Sequence, residues 1–462
     1  MKLDYPDIEQ IALDQELSIS CKDYSLLTDL YQLTMAACYV GEGLEQRQAS
    51  FELFVRHLPE GFGYLIAMGL EQALDYLEKL RFSPSQISAL QATGIFADAP
   101  AEFWSLLTEF RFTGDVWAVP EGTAVFANEP ILRVEAPLWQ AQLVETYLLN
   151  TINYQTLIAT RAARIRDVAG VQAQLLEFGT RRAFSPQASL WAARAAIAAG
   201  FDATSNVLAA LKLGCQPSGT MAHSLVMALT ATSGSEDDAF MTFHEYFPDS
   251  ALLIDTYDAI AAAERLAKLV KAGEIQLTGV RLDSGDLVKL SQQVRSLLPD
   301  VTIFASGDLD EWKIAELKEK GACIDGYGLG TKLVTGAPAN GVYKLVEIDG
   351  IPTMKQSLNK VTYPGRKQIF RKFEAGIIQG DRVGLITDSP QAEQPLLQIV
   401  FKQGERVQQP EHLNEIRQRT MTAVASLPTE TRRLNHPQSP SIEISASLRK
   451  LTEKTQRVKT VS

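Results

Sequence analysis

The sequence predicts an α/β protein whose chemistry-bearing half is a parallel βα barrel or an open doubly wound sheet. From about residue 170, short apolar runs of β type alternate with helical runs, and each β run stops on a polar or glycine-rich turn. Gln174-Leu175-Leu176-Glu177-Phe178 stops at Gly179-Thr180-Arg181-Arg182, and a short run near Gly214 stops at Ser218-Gly219-Thr220. Ala251 to Ile254 stops at Asp255-Thr256, and Gly279 to Leu282 stops at Asp283-Ser284-Gly285-Asp286. Val301 to Phe304 stops at Ser306-Gly307-Asp308, and Ala322-Cys323-Ile324 stops at Asp325-Gly326-Tyr327-Gly328-Leu329-Gly330-Thr331-Lys332. Six such transitions with helical connections describe parallel strands. In either architecture the carboxyl ends of the strands gather on one face, and that face holds the chemistry. Arg181, Thr220, His223, Asp255, Asp283, Ser306 and Thr331 are therefore expected to be neighbours.

The remaining elements follow in order. Residues 1–23 are polar and weakly patterned, an N-terminal arm. Tyr24 to Tyr39 sets Leu26, Leu27, Leu30, Leu33, Ala37 and Cys38 close to the i, i+3, i+4, i+7 spacing of a helix, with Ser25 or Thr28 available as cap. Phe51 to Arg56 alternates like a strand, Pro59 to Gly63 is a turn, and Leu65 to Leu80 reads as an amphipathic helix. Residues 111–136 hold short strands broken by Pro120, Gly122 and Pro130, which suits an antiparallel sheet or small barrel. Leu138 to Ala162 reads as one long helix or two abutting ones. Ser185-Pro186 opens an alanine-rich helix, Gln187 to Ala199, that Gly200 ends. Residues 341–402 return to strands, 404–425 read as helical, and a polar tail after Leu427 allows one short helix at Ser447 to Gln456.

The totals narrow the function. A length of 462 residues with 46% apolar and 21% charged residues gives two or three domains with ample core. A net charge of −11 argues against a general nucleic-acid or membrane surface. Cys21, Cys38, Cys215 and Cys323 form no CxxC pair and are expected to be reduced, mostly buried thiols. Acidic residues directly after Met1-Lys2 predict no signal peptide, and no apolar run reaches the roughly 18 residues of a membrane span. A cytoplasmic protein is expected.

The candidate chemistry centres on Pro217 to Ser224, a turn-rich segment that carries His223, one of five histidines. Imidazole suits proton transfer and nucleophilic attack, and Asp255 at a neighbouring strand end would orient it. No serine or cysteine elbow accompanies it, which disfavours a hydrolase triad. Glycines in 326–331 would let backbone N–H groups approach an anion, although a tight turn is the simpler alternative. Asp283, Asp286 and Asp308 would suit Mg²⁺ on a polyphosphate or ribose hydroxyls; for Asp286 and Asp308, helix N-caps are the alternative. Arg181, Arg182 and Arg281 lie in or after apolar runs, where a guanidinium needs a carboxylate, a phosphate or an ion-pair partner. Lys355, Lys360, Arg366, Lys367, Arg371 and Lys372 form a basic cluster, a solvated face or an anion-binding edge. These residues point to an α/β enzyme acting on a phosphorylated, anionic small molecule with Mg²⁺.

Seven motifs then resemble the nicotinate phosphoribosyltransferase family, a type II phosphoribosyltransferase family: LLTDLYQLTM (26–35), FELFVRHLP (51–59), EFGTRRA (177–183), GTMAHS (219–224), GVRLDSGDL (279–287), GLGTKLVTG (328–336) and GVYKL (341–345). The resemblance implies an irregular α/β, TIM-like barrel at 151–340. It also implies an α+β domain from 24–150 plus 341–427, with 428–462 as tail. It implies conversion of nicotinate and 5-phosphoribosyl 1-pyrophosphate to nicotinate mononucleotide and pyrophosphate, coupled to ATP hydrolysis, in NAD salvage. His223 falls on the histidine that ATP phosphorylates, and Asp255 on its supporting aspartate. Thr220, Arg281 and Phe178 fall on nicotinate-binding positions, with Tyr31 supplied by the second subunit of a homodimer. Arg181 falls beside the base, Asp283 on the Mg²⁺ and ribose side, Ser306 at the next strand end, and Gly328, Gly330 and Thr331 on the ribose 5-phosphate. Lys360, Arg366 and Lys367 resemble the family's basic flap. The nicotinamide-using relative places an aspartate where this chain has Ser205, so nicotinate is the expected base. The alternatives are the same chemistry on nicotinamide and a non-catalytic ligand-binding homologue.

Overall fold

A computed structural model describes residues 17–357 and 360–461; the side chains of residues 233, 356–357, 360–361 and 458–461 are not described. Six parallel strands form the sheet that organises the site: β1 (Gln174–Glu177), β2 (Ala203–Thr204), β3 (Leu252–Leu253), β4 (Gly279–Leu282), β5 (Thr302–Ala305) and β6 (Gly326–Leu329). Their spatial order is β2-β1-β6-β5-β4-β3, every pairing is parallel, and no described residues pair β2 with β3. The barrel is therefore irregular and open on one side. Between its two edge strands run three helices, Val207–Lys212, His223–Ser233 and Glu236–Tyr246.

The count of six strands agrees with the sequence reading, but two of the positions do not. The run near Gly214 is no strand: β2 lies earlier, and Val207–Lys212 is helical because Asn206 caps it, its side chain accepting from Ala209 N at 3.0 Å. Ala322-Cys323-Ile324 is a connection, and the glycine-rich segment read as a turn is itself the strand β6. The physical reason lies in its neighbours. A Cβ on Gly326 would sit 2.5 Å from the Phe304 ring, and one on Gly328 would sit 2.4 Å from the Phe178 ring. Those glycines make room for aromatic rings inside the sheet.

A seven-stranded antiparallel sheet flanks the barrel, in the order Ile351–Pro352, Gly341–Ile348, Gln48–Val55, Pro130–Pro137, Asp115–Ala118, Gln398–Lys402, Glu405–Arg406. Segments from both sides of the barrel thus share one sheet. Leu138–Leu143 and Glu145–Ala169 are the two abutting helices, and Pro186–Ala198 starts as expected, with Ser185 Oγ accepting from Ala188 N at 3.0 Å. Two N-terminal expectations shift. Leu65–Ile66 is a strand, with the helix confined to Leu70–Lys79, and the first helix is Leu30–Gly41, preceded by Asp29 with no side-chain cap. Ser25 instead donates to Gln86 at 3.0 Å. The segment after 427 is more than a tail. Ser441–Ile444 pairs in parallel with Ile377–Leu385 in a separate four-stranded sheet, and Ala446–Val461 is helical.

Helix Glu145–Ala169 and its arginines bind the two halves together. Arg164 pairs with Glu311 at 2.9 Å, both buried, and packs over Phe62 and Trp312. Arg166 pairs with Asp202 at 2.6 Å, and Arg194 with Glu121 at 2.6 Å. None of the four cysteines is buried as expected: Cys21 and Cys38 are exposed, Cys215 and Cys323 are half-buried, and all four thiols are free. Among the described residues no helix is long and apolar enough to cross a membrane.

Candidate active site

The exits of β3, β4 and β5 are wired side by side. Asp255, just past β3, accepts through Oδ2 from the Asp283 backbone N–H at 2.7 Å and from Ser284 Oγ at 2.8 Å. Asp283, just past β4, accepts through Oδ1 from the buried Ser306 Oγ at 2.5 Å. Gly307 permits this closeness: its φ is +87°, and a Cβ there would lie 2.3 Å from the Asp283 carbonyl oxygen. Carboxylates on two neighbouring exits are thereby fixed by short local hydrogen bonds.

His223 enters from the helical insertion between β2 and β3. It is the first residue of helix His223–Ser233, where negative charge nearby is favoured by the unpaired N–H groups of the first turn. Its Nδ1 lies 3.0 Å from Thr256 Oγ1, and its Nε2 lies 3.9 Å from Asp255 Oδ1. The expected Asp255–His223 pair is present at ion-pair distance, without a hydrogen bond. Thr256 orients the ring, a partner the sequence reading passed over although it directly follows Asp255. Asp255 Oδ1 is buried with no hydrogen-bond partner, a costly arrangement that leaves a carboxylate oxygen facing the imidazole edge.

Arg281 projects from within β4 on the other side of the cluster. It donates to Thr220 Oγ1 at 2.5 Å and to the Met221 carbonyl at 2.9 Å. Its guanidinium carbon lies 6.0 Å from the centre of the Phe178 ring. Burial pushes its pKa down, Asp283 and Asp255 draw it back, and Arg181 adds a like charge. Arg281 remains a cation, because a guanidinium is not deprotonated in proteins. It thus holds the Thr220-Met221 segment, the direct approach to His223, and places a half-buried positive charge beside an aromatic face. Ser205 stands at this end too, its Cβ 3.8 Å from where a Cβ on Gly219 would be. Behind it, the buried Glu177 accepts from Thr204 Oγ1 at 2.5 Å and from Gly179 N, tying the exits of β1 and β2.

Phe178, Thr220, His223, Asp255, Arg281, Asp283 and Ser306 thus form one connected cluster. Gly328 touches it through Phe178, and past β6 the chain turns at Gly330 into the short helix Thr331–Val334. Arg181 is exposed near Arg281. Arg366 and Lys367 are paired elsewhere in this chain, and Tyr31, expected from a second subunit, lies at its surface. Tyr31 lies on helix Leu30–Gly41, 47% exposed, with Asp29, Gln32 and Glu145 around it. Arg366 pairs with Glu135 and Glu347, both at 3.0 Å, so its charge is committed within the fold; Lys367 is buried against Glu52 at 2.8 Å. Both cations are ion-paired in this chain with carboxylates of the seven-stranded sheet. The Lys360 side chain lies outside the described residues.

The family follows from comparison. A model described as the nicotinate phosphoribosyltransferase N-terminal domain matches residues 26–153, the nicotinate phosphoribosyltransferase family model matches 173–361, and the C-terminal domain model matches 382–452. The chain belongs to the nicotinate phosphoribosyltransferase family. The matched spans contain all seven motifs. The chain is 42% identical over 422 residues to the nicotinate phosphoribosyltransferase pncB2 of Mycobacterium tuberculosis, covering 89% of each. It is 40% identical over 464 residues to the nicotinate phosphoribosyltransferase of Bacillus subtilis, covering 91% of this chain and 93% of that one. The crystal structure of human nicotinic acid phosphoribosyltransferase superposes with a TM-score of 0.80 at 30% identity, over 93% of this chain and 99% of that one. Within the nicotinate phosphoribosyltransferase family span 173–361 lie all six barrel strands and every residue of the connected cluster.

Proposed function

We propose that this chain is a cytoplasmic nicotinate phosphoribosyltransferase of NAD salvage. It transfers the phosphoribosyl group of 5-phosphoribosyl 1-pyrophosphate to nicotinate, coupled to hydrolysis of ATP. The observation that carries this reading is the continuous side-chain cluster from Phe178 and Arg281 to His223 and Asp283. It sets a cation beside an aromatic ring next to a histidine–carboxylate pair on one face of the barrel. The pyridine carboxylate is bound by Arg281 and Thr220, with Phe178 over the ring and Arg181 at its side. Ser205 brings no negative charge to this end, in keeping with an acid as substrate. The pyridine nitrogen forms its bond to the ribose C1 as the C1–O bond to pyrophosphate breaks.

His223 accepts the γ-phosphoryl group of ATP on a ring nitrogen as the bond to the departing ADP breaks, and later yields it to water as inorganic phosphate. Thr256 holds the ring, and the unpartnered Asp255 oxygen compensates positive charge on it. Asp283 with Ser306 faces the ribose. Among the described residues no three His, Cys, Asp or Glu side chains are grouped as a cage. Mg²⁺ commonly takes one or two carboxylates plus substrate phosphates, and Asp283 at its strand exit fits that pattern. An ion held there would supply charge neutralisation of the departing pyrophosphate.

The protein works as a homodimer with shared sites. Leu26, Leu27, Leu30 and Tyr31 leave an exposed apolar edge at the start of the first helix, fit to be covered by a second copy that receives Tyr31 over its pyridine. Incubation with ATP labelled at the γ-phosphate is expected to give an acid-labile protein-bound label that His223→Ala lacks. Equal labelling of the variant would reject the phosphohistidine.

A further inference from the structure

Helix Glu145–Ala169 also reaches the segment that leaves β6. Tyr154 and Arg161 stand at i and i+7, on one face of that helix. Tyr154 Oη donates to the Val334 carbonyl at 3.0 Å. Arg161 Nη1 donates to the Thr335 carbonyl at 2.5 Å and to the Lys332 carbonyl. These carbonyls lie at the C-terminal side of the four-residue helix Thr331–Val334, where the backbone supplies too few N–H partners. Gly336 completes the seat: its φ is +140°, and a Cβ there would lie 2.2 Å from Arg161 Nη2. The guanidinium occupies the space a side chain would need. On the near side of the turn, a Cβ on Gly330 would come 3.1 Å from the Phe178 carbonyl, so the turn is fixed from both flanks.

We propose that Tyr154 and Arg161 are positioning residues for the 5-phosphate of the phosphoribosyl donor, acting by clamping the Gly330–Thr335 turn through its carbonyl oxygens. This rests on the assignment of Gly328, Gly330 and Thr331 to that phosphate. Among the described residues, the side-chain hydrogen bonds of Tyr154 and Arg161 all go to this segment. The pyridine end is held separately, by the bonds of Arg281 to Thr220 and Met221. Loosening the clamp therefore weakens donor binding and spares the base.

The test is competitive inhibition by ribose 5-phosphate, together with KM for the donor, KM for nicotinate and kcat, in Tyr154→Phe, Arg161→Lys and Thr331→Val. Tyr154→Phe and Arg161→Lys are expected to raise the donor KM and the ribose 5-phosphate Ki about tenfold, the loss of a well-formed hydrogen bond. Nicotinate KM and kcat should stay within about twofold. A matching rise in nicotinate KM, or a fall in kcat with ribose 5-phosphate inhibition unchanged, overturns the inference. If Thr331→Val weakens ribose 5-phosphate and the clamp variants do not, the phosphate assignment stands and the clamp is wrong. If Thr331→Val leaves inhibition unchanged, the assignment fails and the clamp role falls with it. Tyr154→Phe keeps the ring in place, so it decides the matter should Arg161→Lys not fold.

Discussion

Asp255 is the side chain on which the site turns. One oxygen accepts two hydrogen bonds, and the other faces the His223 ring at 3.9 Å with no partner. Asp255→Asn keeps an acceptor for Asp283 N and Ser284 and removes only the charge beside the ring. Nicotinate turnover is expected to fall about a hundredfold with the unfolding temperature little changed. Steady-state rates and a thermal melt check both halves. Arg281→Lys replaces a fork by a point charge and cannot reach Thr220 Oγ1 and Met221 O together. It should raise nicotinate KM at least about tenfold. At this scale the sequence was legible where a residue type is rare in its setting: a histidine on a turn, aspartates at strand ends, an arginine inside an apolar run. It was silent on Thr256 and on the Glu177–Thr204 bond, because threonine and a strand-end glutamate are ordinary in such places. Arg366 and Lys367 show the converse, since a basic cluster in sequence does not reveal carboxylates brought from Glu52, Glu135 and Glu347.

Among the elements, β6 departs most from its sequence signal. Gly326-Tyr327-Gly328-Leu329 has turn composition, yet it is a central strand paired on both sides. Tertiary packing overrides propensity here, because the rings of Phe304 and Phe178 fill the volume its glycines leave. Gly326→Ala should destabilise the protein by about 1–3 kcal/mol through overpacking, visible as a lower melting temperature. Gly328→Ala should in addition displace Phe178 and raise nicotinate KM. An undiminished melt for both would contradict this account of the strand. The run near Gly214 failed for a related reason: a cap at Asn206 makes a helix of residues whose apolar content suits either element. Elements with paired start and stop signals, such as Pro186–Ala198, were legible almost to the residue.

On the scale of the whole molecule, buried ion pairs join the flanking sheet to the barrel, and none was visible from sequence spacing. Arg194 and Glu121 are both buried, with Glu121 also accepting from Gly69 N and Leu70 N at 2.6 and 3.0 Å. Burial pushes the Glu121 carboxyl up, but Arg194 and the two N–H groups outweigh it and leave the pKa below the ordinary 4.5. A depressed folded-state pKa stabilises above the unfolded value and loses that stabilisation as pH falls through the folded one. Glu121→Gln should therefore cost about 3–5 kcal/mol near pH 7, with its deficit in melting temperature narrowing below pH 4.5. The shared-site dimer makes a different demand. Tyr31→Ala and His223→Ala chains, each inactive alone, should regain part of the wild-type rate when mixed and allowed to exchange, because one hybrid site is then intact. No recovery would place Tyr31 outside the partner's site.

The central claim, ATP-coupled phosphoribosyl transfer to nicotinate through His223, is tested most directly by pyrophosphate release from 5-phosphoribosyl 1-pyrophosphate with Mg²⁺. Nicotinate is compared with nicotinamide, with and without ATP, in wild type and His223→Ala. Turnover of nicotinate alone, stimulated by ATP in wild type and not in His223→Ala, is the expected result. Preference for nicotinamide, or ATP stimulation that survives the loss of His223, would contradict it.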